Sequence, residues 1–134
     1  MGKYATLETD VYSIFGSDSW RAEKILTRPS NFMAISKADT FIRVSVIPGN
    51  AGINVNSISG LLLIEIFIPA GKGNKMAFEI ADTLDDHLVG RSVKTGQGTT
   101  QFQNSTCTPS GNDKVDQALF MYEYSIPFSY YNGE

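Results

Sequence analysis

Residues 60–68 constrain this chain more than any other stretch. Gly60-Leu-Leu-Leu-Ile-Glu-Ile-Phe-Ile68 is rich in leucine and β-branched residues, which favours a strand. Its two faces are Leu62, Ile64, Ile66, Ile68 and Leu61, Leu63, Glu65, Phe67. A strand apolar on both faces belongs in the middle of a sheet, covered on both sides. The run is too short to span a bilayer as a helix, and Glu65 interrupts it.

The rest of the chain arranges itself around that strand. Tyr4, Leu7, Val11, Ile14 and Phe15 recur at helical spacing, so residues 3–15 read as an amphipathic helix ended by Gly16. Ser17–Ser19 reads as loop, Ile25-Leu26 as a short strand, and Arg28–Asn31 as a turn. A strand over 40–47 places Ile42, Val44 and Val46 on one face. The Gly-, Asn- and Ser-rich residues 49–59 read as an extended loop. After the break at Pro69–Gly73, Asn74 is a plausible N-cap for a helix over 75–89, with Met76, Ala77, Ile80, Ala81, Leu84 and Leu88 as its core stripe. Gly90 is its expected stop. One or two strands are expected in 91–108, a polar loop over 109–115, and a long final strand over 117–131. The fold class is therefore α+β: a mixed, mainly antiparallel sheet with two α-helices packed on one face.

With 134 residues, one domain over 1–134 is expected. The charged share is 19%, below the ~25% usual for globular domains, which gives a weak hint of oligomerisation. The net charge of −3 is not basic enough to hold nucleic acid by counterion release. It still suits a channel wall that repels phosphate. A single cysteine, Cys107, cannot form an internal disulfide, and a reducing cytosol fits best. Polar residues stand at the N-terminus where a signal peptide would need its apolar stretch.

Few residues point to chemistry. Gly71-Lys72-Gly73 lies between a strand and a helix, but Met76 stands where a dinucleotide fingerprint needs its third glycine. A βα turn explains the glycines better. Asp82, Asp85, Asp86 and His87 form the only metal-like constellation, and no second cluster completes a ligand set. A solvated helix face is the plainer explanation. His87 has no recognisable nucleophile motif beside it. Cys107, among Ser105, Thr106 and Thr108, has no basic neighbour to activate it. No catalytic residue, cofactor or metal is expected. In the final strand Phe120, Tyr122, Tyr124, Ile126, Phe128 and Tyr130 share one face. Phe120, Ile126 and Phe128 read as core. Three tyrosines, Tyr122, Tyr124 and Tyr130, exceed what a small core needs, so part of this face is a candidate subunit contact.

Three stretches together carry a family likeness. They are Phe41–Gly49; Gly60–Gly73 leading into Met76–Leu84; and Tyr122–Tyr130. In this order the chain resembles the tail terminator (tail completion) proteins of long-tailed bacteriophages, the lambda-type terminator and related small phage proteins. There too a strand closing in a Pro-Ala-Gly turn runs into an Ala/Leu/Asp helix, and a final strand ends the chain. The resemblance covers residues 40–131 and a matching first helix; segments 16–39 and 109–115 find no match. It implies a structural protein, not an enzyme, that caps the tail tube as a homohexameric ring and receives the head-tail connector or stopper. Its partners would be itself, the tail tube protein, the connector, and phage DNA passing through the lumen without specific binding. Its place would be the virion neck, after assembly in the host cytoplasm. Loop residues Asn50, Asn54, Asn56, Asn112 and Lys114 are the candidate contact makers, with the three tyrosines. The alternatives are another connector, stopper or tube protein, or, in a different class, a small metal- or ligand-binding enzyme using Asp82, Asp86 and His87.

Overall fold

A computed structural model describes residues 3–25, 27–29, 40–51, 57–69, 74–94, 98–112 and 119–131. The elements in chain order are α1 (Lys3–Phe15), α2 (Asp18–Arg21), β1 (Thr27–Pro29), β2 (Phe41–Ala51), β3 (Ile58–Pro69), α3 (Asn74–Leu88), β4 (Ser92–Val93), β5 (Thr99–Phe102), β6 (Thr106–Asn112) and β7 (Leu119–Tyr131). The strands form one seven-stranded sheet in the order β1-β2-β3-β7-β5-β4, with β6 also paired to β7. Among the described strands only β1 and β2 run parallel; the other pairs are antiparallel.

The strand that is apolar on both faces is central, as its composition requires. β3 is flanked by β2 and β7, and pairs with β7 over its whole length, from Ile58↔Tyr130 to Pro69↔Leu119. The opposite edge of β7 is shared. β5 takes its C-terminal end and β6 its N-terminal half, and Gln103 N–H donates to the Pro127 carbonyl (3.0 Å) between them.

The period of two sorts the side chains into two sets. Ile42 and Val44 of β2, Leu62, Ile64, Ile66 and Ile68 of β3, and Tyr122, Tyr124, Ile126, Phe128 and Tyr130 of β7 are buried. They form one cluster with Leu7, Val11, Ile14 and Phe15 of α1, Trp20 of α2, and Ala77, Ile80, Ala81, Leu84 and Leu88 of α3. On the other face Phe41 and Phe67 make a separate small cluster with Met121 against it, and no described helix residue joins it.

Several local readings are corrected. Residues 18–21 are a helical turn, not loop. Ser17 is its N-cap, in extended backbone with its Oγ accepting from Trp20 N–H (3.3 Å), and Trp20 is driven into the core. The early strand lies at Thr27–Pro29, so Arg28 and Pro29 are strand rather than turn, and Ile25 precedes it. Leu26, Ser30 and Asn31 lie outside the described residues. Residues 49–51 extend β2 and Ile58-Ser59 open β3, which shortens the expected 49–59 loop. The β2–β3 register shifts between Pro48 and Ala51 to allow this. Residues 109–112 belong to β6, which absorbs Pro109 with a register shift before Gly111 (φ +105). Asn74 is the first residue of α3 rather than its cap, and Met76 is exposed, not core. Gly90, at φ +72, does end that helix.

Candidate assembly surface

On the sheet face away from the large cluster, the register lays residues out in rows across strands. The first row is Ile47, Leu61, Pro127; the second is Ser45, Leu63, Ser125, Thr106. The third is Arg43, Glu65, Glu123, Thr108; the fourth is Phe41, Phe67, Met121, Gly111. Only the fourth row is closed off. Phe41 and Phe67 stack with ring centroids 4.5 Å apart, and the Arg43 guanidinium lies 5.1 Å from the Phe67 ring centre. In the first and second rows Leu61 and Leu63 stay half-buried, and Ile47 is 43% exposed. Tyr131, at the end of β7 on the same face, is 48% exposed.

Charge is concentrated in the third row. Arg43 Nε donates to Glu65 Oε1 at 2.8 Å, so the guanidinium is shared between that carboxylate and the Phe67 ring. Glu123 stands directly across from Glu65 on the next strand, a like-charge neighbour that costs stability. Its Oε1 accepts from Ser110 Oγ at 3.3 Å. In the second row Thr106 and Ser125 hydroxyls bond at 2.9 Å. The face thus combines aliphatic, hydroxyl and carboxylate groups.

The tyrosines expected at a subunit contact do not lie there. Tyr122, Tyr124 and Tyr130 are 2%, 0% and 1% exposed, inside the large cluster. The helices supply the cover that periodicity alone could not reveal. Tyr124 OH donates to Asp85 Oδ1 (2.7 Å), and Tyr122 packs edge-on to Phe78. Asn50 and Asn112 fall within β2 and β6, and Asn54, Asn56 and Lys114 lie outside the described residues. The surface residues that sequence reading missed, Ile47, Leu61, Leu63 and Glu123, carried a signal: they alternate with the core positions of β2, β3 and β7.

The acidic stretch of α3 is divided between two sets of partners. Asp85 Oδ1 accepts from both Tyr124 OH and Ser105 Oγ (2.5 Å), tying α3 to β7 and to the approach to β6. Burial, reinforced by that hydrogen bond, pushes the Tyr124 phenol far above its ordinary value. Burial, with Asp85 and Asp82 nearby, raises the Cys107 thiol. His87 Nε2 lies 2.7 Å from Glu23 Oε2 and its ring meets Trp20 edge-on at 5.1 Å, which fastens α2 to the end of α3. Asp82 and Asp86 are exposed. Among the described residues no group of three or more His, Cys, Asp or Glu is placed to hold a metal ion, and no helix is long and apolar enough to cross a membrane.

No family model matches the chain, and no curated protein matches it. Among solved structures, one chain of no stated function superposes with a TM-score of 0.65 at 16% identity. The match covers 96% of this chain and 92% of that one. The likeness is one of fold.

Proposed function

We propose that this chain is a phage structural protein of the tail-terminator type. It caps the tail tube as a homohexameric ring, ends tube polymerisation, and offers the joining surface for the head connector or stopper. It catalyses no reaction and resides in the virion neck. In this reading α1 and α3 both cover the same sheet face, and the other face is left to meet partners.

The observation that carries the proposal is the sheet face made by exposed Ile47 and Pro127, half-buried Leu61 and Leu63, and the Arg43–Glu65–Glu123 row. Exposed aliphatic groups ringed by hydroxyls and charges favour contact with another protein surface. The order of the described elements, with a helix, then the β2–β3 strand pair, then α3 and a long last strand, supports the family likeness carried by residues 40–131. A ring of identical copies needs a heterologous contact that closes. DNA would pass through its opening without specific binding, which a net charge of −3 favours by avoiding phosphate attraction.

Native mass spectrometry of the purified protein, with and without isolated tail tubes, tests this. Hexamers, or monomers that form one ring per tube end, are expected. A monomer that never joins tube ends overturns it.

A further inference from the structure

Three strands bound the described sheet: β1, β4 and β6. β1 has three residues and β4 two, whereas β6 has seven and pairs only with β7. Among the described strands β6 is therefore the edge long enough to take a further strand. Cys107 and Pro109 stand opposite Tyr124 and Tyr122, so they lie on the helix side of the sheet. α3 does not cover them fully: Cys107 is half-buried and Pro109 is exposed. Phe78, Asp82, Asp85 and Val89 recur at helical spacing down the flank of α3 that looks toward β6. Phe78 meets Tyr122 edge-on, and Asp85 bonds Tyr124 and Ser105. Phe78 and Val89 are each 39% exposed, and Asp82 is exposed. The result is a shallow groove between α3 and β6 with apolar walls. Its charge is of one sign. Asp85 and Asp82 are the charged groups near Cys107, and β6 carries none of its own.

We propose that this groove is the capping contact: an extended segment of the tail tube protein adds to β6, with apolar side chains against Phe78 and Pro109 and a lysine or arginine beside Asp82. The outer main-chain groups of β6 call for an extended partner. The exposed carbon of Phe78 and Pro109 calls for apolar side chains at alternate positions. An acidic flank calls for a cation, and the attraction strengthens as the groove closes and water leaves. The other side of β6, with Thr106 and Thr108 exposed, asks for no charge. Pro109 has no N–H and the register shifts before Gly111, so main-chain pairing is confined to Thr106–Thr108. Selectivity therefore rests with the groove side chains. A tube that grows by adding identical rings leaves at its end the segment that would have joined the next ring. A cap that stops growth has to occupy that segment. This deepens the ring reading and rests on it.

Cys107 is the only cysteine of the chain, so thiol alkylation read by intact mass spectrometry reports on the groove. The protein is labelled with N-ethylmaleimide, free and after pelleting with isolated tail tubes. Tube-bound protein is expected to react about tenfold more slowly. Asp82→Lys is expected to keep the wild-type unfolding midpoint, since its side chain is exposed, and to raise the concentration that half-saturates the tubes about tenfold. Glu8→Lys, the same charge change at an exposed position of α1, is expected to alter neither. Three results overturn the groove contact and leave the ring reading standing: pelleted protein whose Cys107 reacts as fast as in the free chain, Asp82→Lys that binds like the wild type, or Glu8→Lys that weakens binding equally. Protection of Cys107 in concentrated protein without tubes gives the groove to a second copy and overturns the tube assignment. A chain that never pellets with tubes overturns both readings.

Discussion

Tyr124, at the centre of β7, donates its hydroxyl to Asp85 on α3 across 2.7 Å, and the same carboxylate oxygen accepts from Ser105. One side chain therefore holds the helix to the last strand and to the segment that leads into β6. Removing one partner from such a site costs more than the bond is worth, because the other is left buried without its mate. Tyr124→Phe is expected to lose ~1–2 kcal/mol, and Asp85→Ala ~2–3 kcal/mol, in denaturant unfolding. Equal, negligible losses would remove this link from the account.

The burial of Tyr124, with the Asp85 contact, sets a response to alkali. The folded Tyr124 phenol holds its proton above the pH, near 10, at which an unfolded tyrosine loses it. Folding therefore retains a proton that the unfolded chain releases. This contribution is fully present below pH ~10 and is lost as pH rises beyond it. Cys107, also raised, acts in the same direction from its own lower range. Unfolding followed from pH 8 to 11 should show stability falling with pH, and Tyr124→Phe should flatten part of the slope above pH ~10. An identical slope in the variant would contradict the assignment.

Gly60 occupies a point where two backbones meet. A Cβ there would lie 2.9 Å from Gly49 N and from Phe128 Cζ, and would collide with the Ile47 carbonyl. Backbone cannot yield as a side chain does. Gly60→Ala is expected to cost ~1–3 kcal/mol, read as a lower denaturant midpoint. Gly90→Ala tests a different cost: nothing lies within 4 Å, but φ is +72. Its loss should be about 1 kcal/mol.

Much of the fold can be read in the chain because periodicity and composition agree there. Helix 3–15 and the two faces of β3 follow from the spacing of Leu7, Val11 and Ile14 and from Leu62–Ile68. Other features depend on contacts that spacing does not encode. α2 is a single turn fixed by Ser17 and the burial of Trp20, and residues 109–112 of β6 read as part of a polar loop because Pro109-Ser110-Gly111 supplies turn residues inside a strand. The tyrosines show the limit most clearly. Alternation groups Tyr122, Tyr124 and Tyr130 on one face, but only the partners in space reveal that the face is interior. The outward alternates, Ile47, Leu61 and Leu63, are the positions left on the open face.

Ile47 is the most direct probe of that surface. It is 43% exposed, so Ile47→Lys removes few internal contacts and should change stability by no more than about 0.5 kcal/mol. The same substitution should weaken ring formation about tenfold or more, measured by light scattering against concentration. Loss of folding together with assembly would mean that the residue serves the monomer instead.

The central claim is that this chain works by assembling with copies of itself at the end of a tail tube. Native mass spectrometry of the protein incubated with isolated tubes reads this most directly. The account predicts closed hexamers, free or bound at one ring per tube end. A chain that remains monomeric and unbound through the whole titration would contradict it.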